Sequence, residues 1–179
     1  MTLILASGSP RREALLRAAG FDFEVRPSGA EEWPYPGGDV GAYTEALARA
    51  KVAAVPGELV VGADTVVTLD GAVIGKPADE AAAAAILRRL SGRTHCVVTG
   101  VAVRRGERMR SAHAATLVTF RDLADDEIQA YVATGEPLDK AGAYAHQGGA
   151  GAFVVRMDGD SDTVVGLPLR LVRRLLDQL

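Results

Sequence analysis

Cysteine is almost absent: Cys96 is the only one among 179 residues, so no disulfide can form within the chain. A single thiol fits a reducing compartment, and the expected location is the cytoplasm. Long apolar runs are missing too. No stretch of about 18 consecutive apolar residues occurs, so a membrane-spanning helix is not expected. The strand-like start, Thr2 to Ala6, is short and runs straight into Ser7-Gly8-Ser9, which is not the form of a secretory signal peptide. There is no basic excess. Lys and Arg number 20 against 23 Asp and Glu, a net charge of −3, which disfavours a nucleic-acid role. The three histidines, His95, His113 and His146, are scattered, with no zinc spacing and no Ser-His-Asp order.

What is present has the balance of an ordinary globular chain, 48% hydrophobic and 24% charged. The length predicts one domain, able to carry two lobes, with a core large enough to need no staples. Residues 2–6 read as a buried strand. Ser9-Pro10 starts a helix, with a hydroxyl cap and proline at the first position, and Gly20 stops it. Phe21, Phe23 and Val25 alternate with polar residues as a half-exposed strand. Residues 27–39 read as a loop carrying Glu31 and Glu32, and 40–55 as a helix. Leu59 to Val61 and Val66 to Leu69 read as strand, and Asp70-Gly71 signals a hairpin. Asp79 caps an Ala-rich helix over 80–90. Two long strand patterns follow near 94–104 and 107–120. Then come a helix over Leu123 to Val132, a Gly-rich loop over 135–151, a strand over Phe153 to Met157 and a closing helix from Leu169. The mixture predicts an α/β fold with a mixed central sheet flanked by helices. Long loops inside compact domains tend to be functional, which singles out 135–151.

Several segments carry chemistry. In Ser7-Gly8-Ser9-Pro10-Arg11-Arg12 a strand ends, small residues turn and a helix begins. Unpaired helix N–H groups, two hydroxyls and two forked cations suit a phosphate. The same residues also describe a capped surface helix with solvated arginines, and the P-loop pattern is absent. In Gly62-Ala63-Asp64-Thr65 a carboxylate interrupts two hydrophobic runs. Burying it costs several kcal/mol unless a cation meets it. It is a candidate metal ligand or general base at a strand end, or else a turn aspartate. Lys51, Lys76 and Lys140 each read singly as solvated lysines. With Arg11 and Arg12 they make a candidate basic pocket, as a nucleoside triphosphate with roughly four negative charges requires. Glu31 and Glu32, joined with Asp64, offer hard oxygen ligands that suit magnesium or manganese. Cys96 lies in a strand pattern and reads as core.

In order along the chain, SGSPRR (Ser7 to Arg12), Glu31-Glu32, ARAK (Ala48 to Lys51), GADT (Gly62 to Thr65) and Gly75-Lys76-Pro77 are followed by LSG (Leu90 to Gly92), PLDKAGAY (Pro137 to Tyr144), Gln147-Gly148 and VGLPL (Val165 to Leu169). This set resembles the Maf family of nucleotide pyrophosphatases, from Ser7 to the C-terminal helix. The resemblance implies a mixed sheet wrapped by helices, two lobes around a deep cleft, and an architecture shared with inosine triphosphatases. It implies attack of water on an α-phosphorus, with pyrophosphate leaving. Asp64 matches the family's general base, and Glu32 with Asp64 matches its divalent-metal contacts. Ser7, Ser9, Arg11, Arg12, Lys51, Thr65, Lys76 and Gln147 match substrate-binding positions. Family members are often homodimers, so the implied partners are a nucleoside triphosphate and a second copy, with no nucleic acid and no membrane.

One branch of the family is similar to dTTP and UTP pyrophosphatases and carries Arg, Thr and Gln at three selective positions, here Arg12, Thr65 and Gln147. The branch cleaving 7-methyl-GTP carries Trp, Gln and Glu. A glutamine amide donates and accepts, matching O4 and N3–H of a pyrimidine, while a glutamate only accepts. The resemblance therefore implies dTTP and UTP hydrolysis, extending to modified pyrimidine nucleotides. The alternatives are the 7-methyl-GTP branch and a non-catalytic nucleotide-binding regulator of septation. His146, Gly149, Gly151 and the Asp160 to Thr163 turn depart from the family's pattern.

Overall fold

A computed structural model describes residues 2–179. In chain order the strands are β1 (Leu3–Leu5), β2 (Phe23–Val25), β3 (Leu59–Leu69), β4 (Ala72–Ile74), β5 (Thr94–Arg105), β6 (Arg108–Phe120) and β7 (Val154–Asp158). The helices are α1 (Pro10–Ala18), α2 (Val40–Ala53), α3 (Glu80–Leu90), α4 (Asp125–Val132), α5 (Ser161–Val165) and α6 (Leu169–Asp177). One mixed sheet runs in the order β2-β1-β3-β5-β6-β7, with β4 paired to β3. This is the α/β class the element pattern predicts. The chain forms two compact units. One takes in residues up to Thr65, Val98–Ala114 and Asp162–Leu179; the other takes in Val66–Val97 and Ala115–Ser161.

In the first unit β1 lies parallel to both β2 and β3. Strand side chains alternate between faces, and the core divides accordingly. Leu3, Leu5, Leu59, Val61, Ala63, Val101 and Val103 pack with Leu16 of α1 and with Leu171, Val172 and Leu175 of α6. Ile4, Ala6, Val60 and Ala102 pack with Ala48 and Val52 of α2. Both faces of β1 are therefore covered, which explains its unbroken apolar run. Each fully buried aliphatic side chain here contributes roughly 1.5–3 kcal/mol. The chain leaves β1 through α1 to β2, then returns through α2 to β3 on the other side of β1. The direction reverses at β1, so α1 and α2 lie on opposite faces, and the carboxyl end of β1 is a switch point of the kind where ligands bind. Gly100 of β5 sets how closely α2 approaches: a Cβ there would meet the Thr44 carbonyl carbon at 2.3 Å.

In the second unit the hairpin between β3 and β4 turns at Asp70 (φ 52°) and Gly71 (φ 78°), the two positive angles its turn type requires. Asp79 caps α3, accepting from the Ala82 N–H at 2.8 Å. At the start of α4, Glu127 accepts from the Ala124 N–H and from Arg121, and these bonds hold its carboxyl down to about 2. Phe120, His95, Tyr144, Phe153 and Tyr131 form an edge-to-face aromatic cluster.

Three features differ from the sequence expectation. The two strand runs around Asp64 are one continuous strand, β3, so Asp64 sits inside a strand and not at its end. A charged residue breaks the hydrophobic pattern without breaking the backbone ladder. The Gly-rich segment is not structureless: it holds three 3-10 turns, Glu136–Asp139, Ala141–Ala143 and Gly149–Phe153. Within the Asp160 to Thr163 turn, Ser161 to Thr163 form the start of the short helix α5.

Candidate functional site

Strand alternation decides where the GADT side chains point. Ala63 shares the face of α1 and α6, so Asp64 takes the α2 face and Thr65 returns to the α1 face. On the α2 face Asp64 meets Lys51. The Lys51 Nζ donates to Asp64 Oδ1 at 2.6 Å, and both side chains are nearly buried, 10% and 9% exposed. The same Nζ pairs with Glu32 Oε1 at 2.6 Å. One cation therefore sits between two carboxylates that lie 32 positions apart in sequence. Glu32 reaches it from the loop, with its side chain 54% exposed. The ammonium offsets the desolvation that a lone buried aspartate would suffer.

On the α1 face Thr65 meets Arg12. The Arg12 guanidinium donates to Thr65 Oγ1 at 3.2 Å, to Ser7 Oγ at 3.2 Å and to the Gly166 carbonyl at 2.7 Å. Gly166 (φ 115°) permits this approach, since a Cβ would crowd both Thr65 and Arg12. Burial lowers the Arg12 pKa, the charges of Asp64 and Glu32 oppose that shift, and neighbouring Arg11 adds to it. Behind Thr65 the hydroxyl chain continues to Thr99 at 2.8 Å and on to the Thr163 carbonyl at 2.8 Å. Ser9 caps α1 as expected, accepting from the Arg12 N–H. The buried Ser7 hydroxyl also accepts from the Ser9 N–H at 3.2 Å. The expected cluster Ser7, Ser9, Arg11, Arg12, Lys51, Asp64, Thr65 and Glu32 thus lies within one unit, around the carboxyl end of β1.

Lys76 and Gln147 belong to the other unit. Lys76 is exposed, in a segment whose Gly75 carbonyl accepts from the Gly142 N–H of the PLDKAGAY run at 3.2 Å. Gln147 is exposed at a turn. Glu136 holds that turn by accepting from the Gly149 N–H, and the Tyr131 hydroxyl accepts from the Ala145 N–H. Lys140 does not extend a basic surface. Its Nζ is spent on the Glu136 carbonyl at 2.7 Å and on Asp139 at 2.6 Å.

Sequence reasoning missed Thr99, Thr163, Gly166 and Glu136. Threonines in strands carry no chemical signal of their own, and Glu136 becomes visible only once the Gly149 N–H is seen to need an acceptor. His95 and His113 have structural roles. His95 is buried, bonds Tyr144 at 2.8 Å, and is pushed down to about 4 by burial. His113 pairs with Glu45 at 2.7 Å, and Glu45 also accepts from Ser111. Burial raises the Cys96 thiol pKa, which disfavours the thiolate.

Sequence comparisons place the chain among known proteins. A protein named dTTP/UTP pyrophosphatase from Moorella thermoacetica is 52% identical over 97% of this chain and 93% of its own length. Proteins of the same name from Symbiobacterium thermophilum and Geobacter sulfurreducens are 49% and 50% identical, covering 98% and 93% of this chain and 93% and 91% of their own. The family described as Maf-like protein matches residues 2–179. The chain belongs to the Maf family.

Proposed function

We propose that this chain hydrolyses dTTP and UTP to the monophosphate and pyrophosphate with a divalent cation. The observation that carries the reading is the single cation, Lys51, gripped by Asp64 and Glu32 beside the start of α1. The relatives named dTTP/UTP pyrophosphatase, similar over nearly their whole length, support the substrate class.

The residues fit a magnesium or manganese ion. Two hard carboxylates already converge on one cationic atom, Lys51 Nζ. Among the described residues no group of three or more His, Cys, Asp or Glu is placed to hold a metal; a site of two carboxylates would suit magnesium, which keeps water and substrate oxygens as ligands. Glu32 and Asp64 would hold the ion, which would neutralise phosphate charge.

The remaining steps fall to side chains. Asp64 uses Oδ1 for Lys51, leaving Oδ2 to accept a proton from water. The water oxygen bonds to the α-phosphorus, the bond from that phosphorus to the α,β-bridging oxygen breaks, and the oxygen leaves with pyrophosphate. Lys51 and Arg11 stabilise phosphate charge; among the described residues Arg11 has no hydrogen-bond or ion-pair partner of its own. Arg12, with three of its five N–H donors committed to Ser7, Thr65 and Gly166, shapes the site and keeps two for an anion. The Ser9 end of α1 offers N–H groups to an anion. Lys76 adds a further cation for phosphate, and the Gln147 amide reads the pyrimidine edge.

The test is a panel of dTTP, UTP and 7-methyl-GTP with magnesium or manganese, scored by pyrophosphate release. The expected result is turnover of the two pyrimidine nucleotides. Preference for 7-methyl-GTP would move the chain to the sister branch, and nucleotide binding without pyrophosphate release would make it a regulator. Gln147→Glu is expected to lower pyrimidine turnover at least about tenfold, or about 1.4 kcal/mol. An unchanged preference would show that Gln147 does not read the base.

A further inference from the structure

The loop over 27–39 has neither helix nor strand, yet it must bring Glu32 to a fixed place. Glu32 is mostly exposed, so its own packing does not hold it. The next residue is tied down instead: the Tyr43 hydroxyl donates to the Trp33 carbonyl at 2.7 Å. We infer that Tyr43 is a positioning residue whose hydroxyl, through the Trp33 backbone, holds Glu32 against the Lys51 ammonium. The inference rests on the function proposed above, in which Glu32 contacts the metal.

Tyr43 is well placed for this. It stands on the first turn of α2, and Leu47 and Lys51 follow at four-residue steps, so one helix carries both the tie and the ammonium, their backbone positions about 12 Å apart along its axis. That helix is itself fixed. The Asp39 carboxylate caps it, accepting from the Gly41 N–H at 2.7 Å, and Thr44 lies against Gly100 of the sheet. The Tyr35 ring stands edge-on to the Tyr43 ring at 5.2 Å, and the Tyr35 hydroxyl donates to the Gly38 carbonyl. The loop therefore folds back on itself and is pinned to α2 next to Glu32. Burial raises the Tyr43 pKa, and the charges of Asp64 and Glu32 raise it further, so the phenol remains a proton donor at neutral pH and lies within electrostatic reach of both carboxylates.

Trp33 is the only tryptophan in the chain, so its emission reports on this loop alone. The experiment titrates metal-free wild type, Tyr43→Phe, Glu32→Gln and the double variant with MnCl2. It reads Trp33 fluorescence and, in parallel, the metal dependence of pyrophosphate release from dTTP. The change in Tyr43→Phe removes one hydroxyl from a half-exposed ring, and circular dichroism verifies the fold. Expected are a manganese response in wild type and a midpoint raised about five- to tenfold in Tyr43→Phe, with kcat at saturating metal falling less. In the double variant Tyr43→Phe adds nothing to the effect of Glu32→Gln. An unchanged midpoint, or effects that simply add, overturns the inference while the proposed function stands. So does Trp33 emission that ignores manganese in an active wild type. A wild type that neither responds to metal nor releases pyrophosphate overturns the proposed function and the inference together.

Discussion

Lys51→Met removes the ammonium that pairs with both Asp64 and Glu32, and its effect can be worked from the geometry. Removing one partner of a buried ion pair destabilises by about 3–5 kcal/mol, because the other charge stays buried. Asp64, 9% exposed, belongs to that class. Glu32, 54% exposed, is screened by solvent and adds little. The low end, about 3 kcal/mol, is therefore expected. For a protein of this size each kcal/mol moves the melting temperature by about 2–4 °C, giving a drop of about 6–12 °C. The variant also removes the ammonium the two carboxylates share, and Arg12 nearby replaces only part of that charge, so magnesium should raise its melting temperature by more than it raises that of wild type. The assay is thermal unfolding followed by circular dichroism, with and without MgCl2. A melting temperature within about 2 °C of wild type, or the same magnesium response in both proteins, would refute the reasoning.

Two further outcomes follow from the packing. Gly100→Ala places a Cβ where the Thr44 backbone already lies, so α2 must shift; a loss of about 1–3 kcal/mol is expected in urea unfolding, with weaker turnover because Lys51 and Tyr43 ride on that helix. His95 is held near 4 when folded and titrates near 6.5 when unfolded, so the unfolded chain binds the proton first. Its contribution is complete above the unfolded value and is lost as pH falls from about 6.5 to 4, about 3 kcal/mol in all. Urea unfolding between those pH values should show the slope in wild type and a flatter one in His95→Phe; equal slopes would reject the role.

Much of this was legible in the sequence because local signals and tertiary structure agree. Ser9-Pro10, Asp79 and Asp70-Gly71 sit where their cap or turn chemistry acts. Asp64 was visible as a carboxylate in an apolar setting, and Lys51 as a lysine in a helix. Their pairing was not, because it depends on which face of β3 Asp64 occupies, and the polar residue had concealed that β3 is a single strand. The role of Arg12 was obscured for a different reason. Its partners, Ser7, Thr65 and the Gly166 carbonyl, lie 5, 53 and 154 positions away, and a backbone carbonyl leaves no trace in composition. The Gly-rich segment hid its three 3-10 turns because glycine weakens every periodic pattern.

Asp64→Asn keeps the size and shape of the side chain, removes its charge and leaves Lys51 paired with Glu32. Purified wild type and variant should be compared for pyrophosphate release from dTTP and UTP with magnesium, alongside circular dichroism. Turnover should fall at least about a hundredfold in a protein that remains folded. A folded variant working at close to the wild-type rate would mean that water is not activated at Asp64.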